Sequence, residues 1–165
     1  IRFLNSQEKE IKADITDIVS KDSDLKQVIN NITTIPGVGE LTAAIVLAET
    51  NGFELIRNKS QLSSFAGLDV KEKQSGTSVK GKPRISKKGN RNLRKSMHLP
   101  SLTAVKWDEN FKNIYAKLIS KNRIKMKALV AVQRKILELI YILFKNETVY
   151  DKEYITKNSV QTQMV

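Results

Sequence analysis

The sequence predicts a mostly α-helical fold that contains a helix-hairpin-helix element and a basic loop or short hairpin rich in Gly, Ser and Lys. Apolar residues recur at helical spacing through most of the 165 residues. A glycine-bearing turn interrupts this pattern at Pro36–Gly39, and the pattern is lost from Leu68 to Ser86. The length suits one ordinary domain with its own core.

The N-terminal third is predicted to form two helices. Their apolar faces are Ile11, Ile15, Ile18 and Val19 in the first, and Leu25, Val28, Ile29 and Ile32 in the second. Asp22 or Ser23 can cap the second helix. Because the chain opens at Ile1 without a signal region, we expect a piece of a longer protein. Residues 1–24 are then the end of a connecting helix or coiled coil, with ordinary packing against its own domain equally compatible.

The remaining helices follow from the same periodicity. After the turn at 36–39, an apolar stripe resumes at Leu41. Later helices are expected at Ser60–Ala66, Asn90–Met97 with a kink at Pro100, Phe111–Leu118 and Lys125–Lys145. The last is apolar around most of its circumference, so it is central to the core or docks on another domain. Residues 25–146 form the expected domain, and 147–165 a disordered tail.

The charge balance favours a polyanionic partner. Lys and Arg number 29 against 17 acids, for a net charge of +12. The absence of cysteine excludes disulfides and thiolate sites, and a single histidine, His98, argues against a metal site or a Ser-His-acid triad. The acids, Glu40 and Glu49 among them, are interpreted as solvated charges rather than metal ligands. Charged residues interrupt Leu129–Phe144, which argues against a membrane span.

The turn at 36–39 is a candidate phosphate site. Its glycines allow a sharp turn, and the amides of Gly37, Val38 and Gly39, at the start of a helix, can bind an anion. The alternative is a helix–helix connection with no ligand. In so basic a chain we favour phosphate binding, which holds register and reads no bases.

The segment Lys71–Lys95 holds ten cations and one acid, +9 of the net charge. Glycines and hydroxyl residues alternate with these cations, which suits close contact with phosphate groups. Ser75, beside Gly76, is the best placed hydroxyl to attack a phosphodiester. From the residues alone, however, serines in glycine-rich loops are more often structural.

Four segments together resemble a known family: IPGVGELTAAIVLAE, QLSSFAGLD, QSGTSVKGKPRISKKGNRNLRK and KALVAVQRKILELIYILF. In order and spacing they are similar to the C-terminal domain of DEDD transposases of the IS116/IS110/IS902 family, over about Leu25 to Phe144. The sequence departs from the family after LRK, where SMHLPSLTAVKW replaces an alanine-rich helix. The departure puts the packing beyond Met97 in question, rather than the site.

The resemblance implies a DNA-binding and catalytic part of an insertion-sequence transposase. Ser75 would become covalently joined to DNA, completed by an N-terminal RuvC-like domain whose four acids bind Mg²⁺ and are absent from this chain. No cofactor is expected in the fragment, which alone should bind DNA without recombining it. The residues expected to hold phosphates around the exchange point are Lys80, Lys82, Arg84, Lys87, Lys88, Arg91 and Arg94.

The resemblance also implies partners and a location. These are the element ends and target DNA, an element-encoded guide RNA and further copies of the full-length chain, in the bacterial cytoplasm at the nucleoid and not at a membrane. The main alternative is a non-catalytic helix-hairpin-helix module that positions DNA for a partner enzyme. A ribosomal or RNA-chaperone-like basic protein ranks third.

Overall fold

The computed structural model describes residues 1–71, 74–75, 79–80 and 84–153. Within these ranges the chain is mostly helical, as predicted. The helices are α1 (Arg2–Lys21), α2 (Ser23–Thr33), α3 (Glu40–Thr50), α4 (Lys59–Phe65), α5 (Arg91–Ser96), α6 (His98–Trp107), α7 (Glu109–Asn122) and α8 (Lys125–Asn146). The strands are β1 (Val70–Lys71), β2 (Gln74–Ser75), β3 (Val79–Lys80) and β4 (Arg84–Ile85).

Short polar side chains start four of the helices. Asp22, Asn58, Asn90 and Asp108 each accept a hydrogen bond from a backbone N–H in the first turn of the helix that follows. Such caps satisfy donors that have no partner inside the helix. The boundaries of α2, α4, α5 and α7 are therefore encoded locally.

The four strands form two short antiparallel ladders, one nested within the other. β1 pairs with β4 through Val70–Ile85 and Lys71–Arg84. β2 pairs with β3 through Gln74–Lys80 and Ser75–Val79. The strands are two residues long each in the described part of the segment that is predicted to lack helical periodicity.

Helix α8 is the centre of the core. Val132, Ile136, Leu137 and Ile140 are fully buried, and buried residues continue along the helix from Ala128 to Leu143. The ring of Phe53 packs on the rings at the C-terminal end of α8, 5.3 Å from Tyr141 and 5.0 Å from Phe144 between centroids. Of the two predicted roles for this helix, the structure supports the central one.

Helix α1 lies at the edge of this core. Only Val19 of α1 is buried, and Ile11 and Ile18 are about 60% exposed. Ile15, Ile18 and Val19 of its apolar face line a groove of about 450 Å³ together with residues of α2 and α3. The boundary at residue 24 between a connecting helix and the domain stays a prediction.

Two details differ from the sequence prediction. The break after α5 falls at Met97 rather than Pro100, because Pro100 occupies the first turn of α6, where a missing N–H costs nothing.

Residues 147–153, expected to be part of a disordered tail, fold back onto the body. The backbone N–H of Tyr150 donates to Thr34 Oγ1 at 2.8 Å, and its hydroxyl donates to Asp108 at 3.1 Å. Residues 154–165 lie outside the described residues.

No helix in the described part of the chain is both long and apolar enough to cross a membrane.

Candidate nucleic-acid interface

The turn between α2 and α3 uses its two glycines differently. Gly37 has φ +88°, and a Cβ there would lie 2.7 Å from Pro100 O and 2.8 Å from Thr103 Cβ. This position therefore needs glycine for its backbone conformation and for the close approach of α6. Gly39 is exposed, and a Cβ there would meet nothing within 4 Å.

The amides of this turn are likewise not equivalent. Val38 is buried, and its N–H donates to Ile35 O at 3.0 Å within the turn. Gly39 is the N-cap of α3, and no side chain hydrogen-bonds to the first turn of that helix. Of the three predicted phosphate-binding residues, Gly39 is the one that combines exposure with a helix start, whereas Gly37 and Val38 also serve packing.

The backbone crosses itself at Gly67 and Gly89. A Cβ on Gly89 would lie 2.1 Å from Phe65 O and 2.4 Å from Gly67 N, and Gly67 has φ +67°. Lys87 N–H donates to Gly67 O at 3.1 Å. Both ends of the segment that carries Ser75 are thus fixed against the C-terminal end of α4.

Arg94 reinforces this crossing. Its Nη1 donates to Ala66 O at 2.7 Å and lies 3.4 Å from Gly89 O, and the side chain is half-buried. Arg94 was predicted to hold phosphate, but this nitrogen is directed to protein carbonyls. Two further hydrogen bonds join the ends of the Ser75 segment. The hydroxyl of Ser86 donates to the carboxylate of Asp69, and the backbone N–H of Ser86 donates to Asp69 O at 2.9 Å.

Glu49 joins α3 to the start of α5. Its carboxylate accepts from the side-chain amides of Asn90 at 2.5 Å and Asn92 at 2.9 Å. These hydrogen bonds, the one from Asn90 first, lower the pKa of Glu49 below its ordinary value. Glu49 is partly exposed, as a solvated charge would be, and its carboxylate is also hydrogen-bonded within the protein. Nothing in the local sequence indicates a contact between residues 41 positions apart.

The remaining predicted cations are distributed along this frame. Arg84, Lys87, Lys88 and Arg91 are exposed. The four ion pairs found among the described residues each lie within one helix and involve none of these cations. For Ser75 and Lys80 the backbone is described, in β2 and β3. Lys82 lies outside the described residues.

His98 contacts a buried amide rather than an acid. Its Nδ1 lies 3.1 Å from Nε2 of Gln133, which is 4% exposed in the middle of α8. Across the described ranges, no three His, Asp or Glu side chains come together as a metal-binding group. The described residues around the Gly67–Gly89 crossing form a basic surface.

Comparison with known proteins identifies relatives of this chain. A model of the Transposase IS116/IS110/IS902 family matches residues 29–116. An uncharacterized 43.6 kDa protein of insertion element IS110 from Streptomyces coelicolor is 28% identical over 120 residues, 73% of this chain and 29% of the relative. The pilin gene-inverting proteins of Moraxella bovis and Moraxella lacunata are each 23% identical over 153 residues, 92% of this chain and 48% of theirs. The chain thus spans about a third to a half of the length of these relatives.

Proposed function

This chain belongs to the IS116/IS110/IS902 family of transposases, and on that premise we propose that it is the DNA-binding and catalytic C-terminal part of an insertion-sequence transposase, with Ser75 as nucleophile. The observation that carries the proposal is the glycine crossing. It fixes both ends of the segment containing Ser75, and the exposed cations Arg84, Lys87 and Lys88 lie where that segment returns to the body.

The proposed step is a phosphoryl transfer. Ser75 Oγ loses its proton to a base and bonds to phosphorus, while the bond from phosphorus to the leaving sugar oxygen breaks and that oxygen takes up a proton. Fixed cations stabilise the negative charge that grows on the phosphate oxygens. Because the resulting phosphoserine retains the energy of the bond it replaces, a second strand can reverse the attack and be joined.

The fragment supplies one part of this reaction. The described residues contain no acidic cluster that fits Mg²⁺, so we assign no metal ligand and no metal-dependent step to this chain. In the proposal, the acids belong to a RuvC-like domain of the full-length protein, and the fragment alone binds DNA without exchanging it. The family resemblance also brings a guide RNA and a homo-oligomer into the proposed complex.

The turn at Gly39 would hold the duplex in register. In this proposal the α2–α3 pair acts as a helix-hairpin-helix element, with the open start of α3 directed at a backbone phosphate. The exposed glycine lets that phosphate approach the main chain. Phosphate binding at the start of α3 also fits the alternative function, a non-catalytic module that positions DNA for another enzyme.

The test is detection of a covalent protein–DNA adduct on a denaturing gel. The full-length parent is incubated with Mg²⁺, element-end DNA and guide RNA, alongside Ser75→Ala and the neighbouring variant Ser78→Ala. We expect an adduct from wild type and Ser78→Ala and none from Ser75→Ala. An adduct that survives in Ser75→Ala contradicts the assigned nucleophile, and the absence of any adduct despite DNA binding favours the positioning module.

A further inference from the structure

A second group of cations lies at the connection between α7 and α8. From residue 110 to residue 137 the sequence contains eight cations and no acid. Most of this stretch follows residue 116, where the family match ends. Five of the cations fall within eleven residues around the connection: Lys117, Lys121, Arg123, Lys125 and Lys127. We define these five as the α7–α8 cluster.

The cluster stands on a rigid frame. All five residues are exposed, and only Arg123 and Ile124 separate the two helices. Arg123 ends α7 in the left-handed conformation, with φ +53° and its N–H donating to Ile119 O at 2.7 Å. Ala128 and Leu129, one turn into α8, are buried in the core. The backbone positions that carry the cations are therefore set by the packing of the two helices.

The positions of these cations do not follow from helix electrostatics. Lys121 and Arg123 at the C-terminal end of α7 complement the helix dipole, as surface cations commonly do. Lys125 and Lys127, in contrast, lie in the first turn of α8, where the dipole disfavours positive charge and where no acidic residue occurs.

Within the described residues, no acid forms an ion pair with the cluster. The ion pairs on the same two helices are Lys112–Glu109 and Arg134–Glu138, outside the cluster on either side. None of the four ion pairs found among the described residues includes a member of the cluster. The cluster therefore presents concentrated positive charge to solvent.

The ligand that fits is the phosphate backbone of duplex DNA. Lys117 and Lys121 are about 6 Å apart along the α7 axis, and a duplex carries one negative charge per about 1.7 Å of its axis. The cluster can therefore meet several phosphates at once. An acidic membrane fits less well, because Ile124 and Met126 are the only large apolar residues exposed there and the residues after them are buried.

The cluster lies at a different point along α8 from the helix that anchors the Ser75 segment. Ser63 in α4 donates a hydrogen bond to Glu138 in α8 at 3.3 Å, and Lys125 lies thirteen residues before Glu138, about 20 Å along the helix. Resting on the proposed function, we propose that the α7–α8 cluster is a second DNA-binding surface. It holds the backbone of duplex that lies away from the exchange point.

The experiment is a salt titration of DNA affinity by fluorescence anisotropy, using the 165-residue chain and a 40-base-pair duplex. The test variant carries Lys121→Gln, Lys125→Gln and Lys127→Gln. The matched control removes the same charge from exposed sites on α1 and α2, through Arg2→Gln, Lys9→Gln and Lys26→Gln. A third variant, with Arg84→Gln, Lys87→Gln and Lys88→Gln, reports on the first surface, and circular dichroism checks that all variants are folded.

We expect the test variant to bind at least tenfold more weakly near 0.1 M salt. The slope of log affinity against log salt should flatten by two to three, since each lost phosphate contact contributes about 0.9. A test variant that matches the control overturns the second surface. A flattened slope with an RNA hairpin but not with DNA overturns the assignment to DNA. The proposed function fails separately, if wild type shows no salt-dependent binding or if the third variant binds like wild type.

Discussion

At the scale of single residues, Gly89 is a position where substitution by any larger residue should be poorly tolerated. Its Cα hydrogens occupy space that a methyl group would share with Phe65 O and Gly67 N. Gly89 does not have a left-handed backbone conformation. The obstacle to substitution is therefore space alone, and the neighbouring atoms belong to backbone that cannot easily move.

We predict that Gly89→Ala lowers the free energy of unfolding by about 3 kcal/mol, because overpacking against backbone forces the crossing apart. Urea unfolding followed by circular dichroism measures this loss. Gly39→Ala is the matched control: its Cβ meets nothing, so stability should change by less than about 1 kcal/mol. If both variants unfold at the wild-type urea concentration, the close crossing is wrong.

Glu49 gives a prediction for pH. Hydrogen bonds from Asn90 and Asn92 lower its pKa in the folded state. Its contribution to stability is therefore complete above the ordinary pKa of glutamate, about 4.3, and is lost as the pH falls through the lower folded value. We expect Glu49→Gln to unfold at a lower temperature than wild type at pH 7, and the difference to shrink below about pH 4.

Thermal unfolding from pH 7 to pH 3 tests this, with Asn92→Ala as a partial variant that keeps the donor from Asn90. Asn92→Ala should show a smaller difference of the same sign. If the difference in unfolding temperature between wild type and Glu49→Gln stays constant across the pH range, the hydrogen bonds from Asn90 and Asn92 do not stabilise the charged carboxylate of Glu49.

At the scale of elements, the C-terminal segment 147–153 acts as a tie between α2 and α7. Tyr150 bonds to Thr34 at the end of α2, and its ring stacks on Phe111 with centroids 6.3 Å apart. Its hydroxyl meets Asp108, the 3%-exposed N-cap of α7. Burial is the main cause that raises the pKa of Tyr150 above its ordinary value, so the hydroxyl remains a donor at neutral pH.

We predict that Tyr150→Phe destabilises the fold by about 1 to 2 kcal/mol, because buried Asp108 loses one hydrogen-bond donor while the ring stays packed. Urea unfolding of the purified chain measures the change. Val149→Ala, at an exposed neighbouring position, should be close to neutral. Equal stability of Tyr150→Phe and wild type would show that the hydroxyl does not contribute.

The elements could be predicted from sequence wherever the signal was local. Apolar spacing and the capping residue Asp22 predict most of the helices, but not the separation of α6 from α5 at Met97. The tie made by Tyr150 was missed because a polar stretch after α8 has no periodicity, and its order comes from partners far away in sequence. The same limit applies to Glu49 and Arg94, whose contacts form only once α3, α4 and α5 are assembled.

At the scale of the whole molecule, the charge is strongly divided. Residues 71–95 carry +9 and residues 110–137 carry +8, so the rest of the chain is net acidic although the total is +12. The sequence indicated the first concentration, because its lysines and arginines are contiguous with glycines. The second was missed because its cations are spread between apolar core residues, and only the folded α7–α8 pair brings them to one surface.

The crossing of Gly67 and Gly89 has a consequence for how this fold can change. The chain leaves the body at Gly67 and returns to it at Lys87, with those two residues joined by a 3.1 Å hydrogen bond. The chain between them is a loop whose two ends are already joined. Lengthening this loop therefore costs little conformational entropy on folding, about 0.6 kcal/mol for each doubling in length. Insertions, deletions or a grafted reporter peptide between 71 and 84 should therefore leave the helical body folded. The length of the segment can then vary while the helical body that supports it stays unchanged.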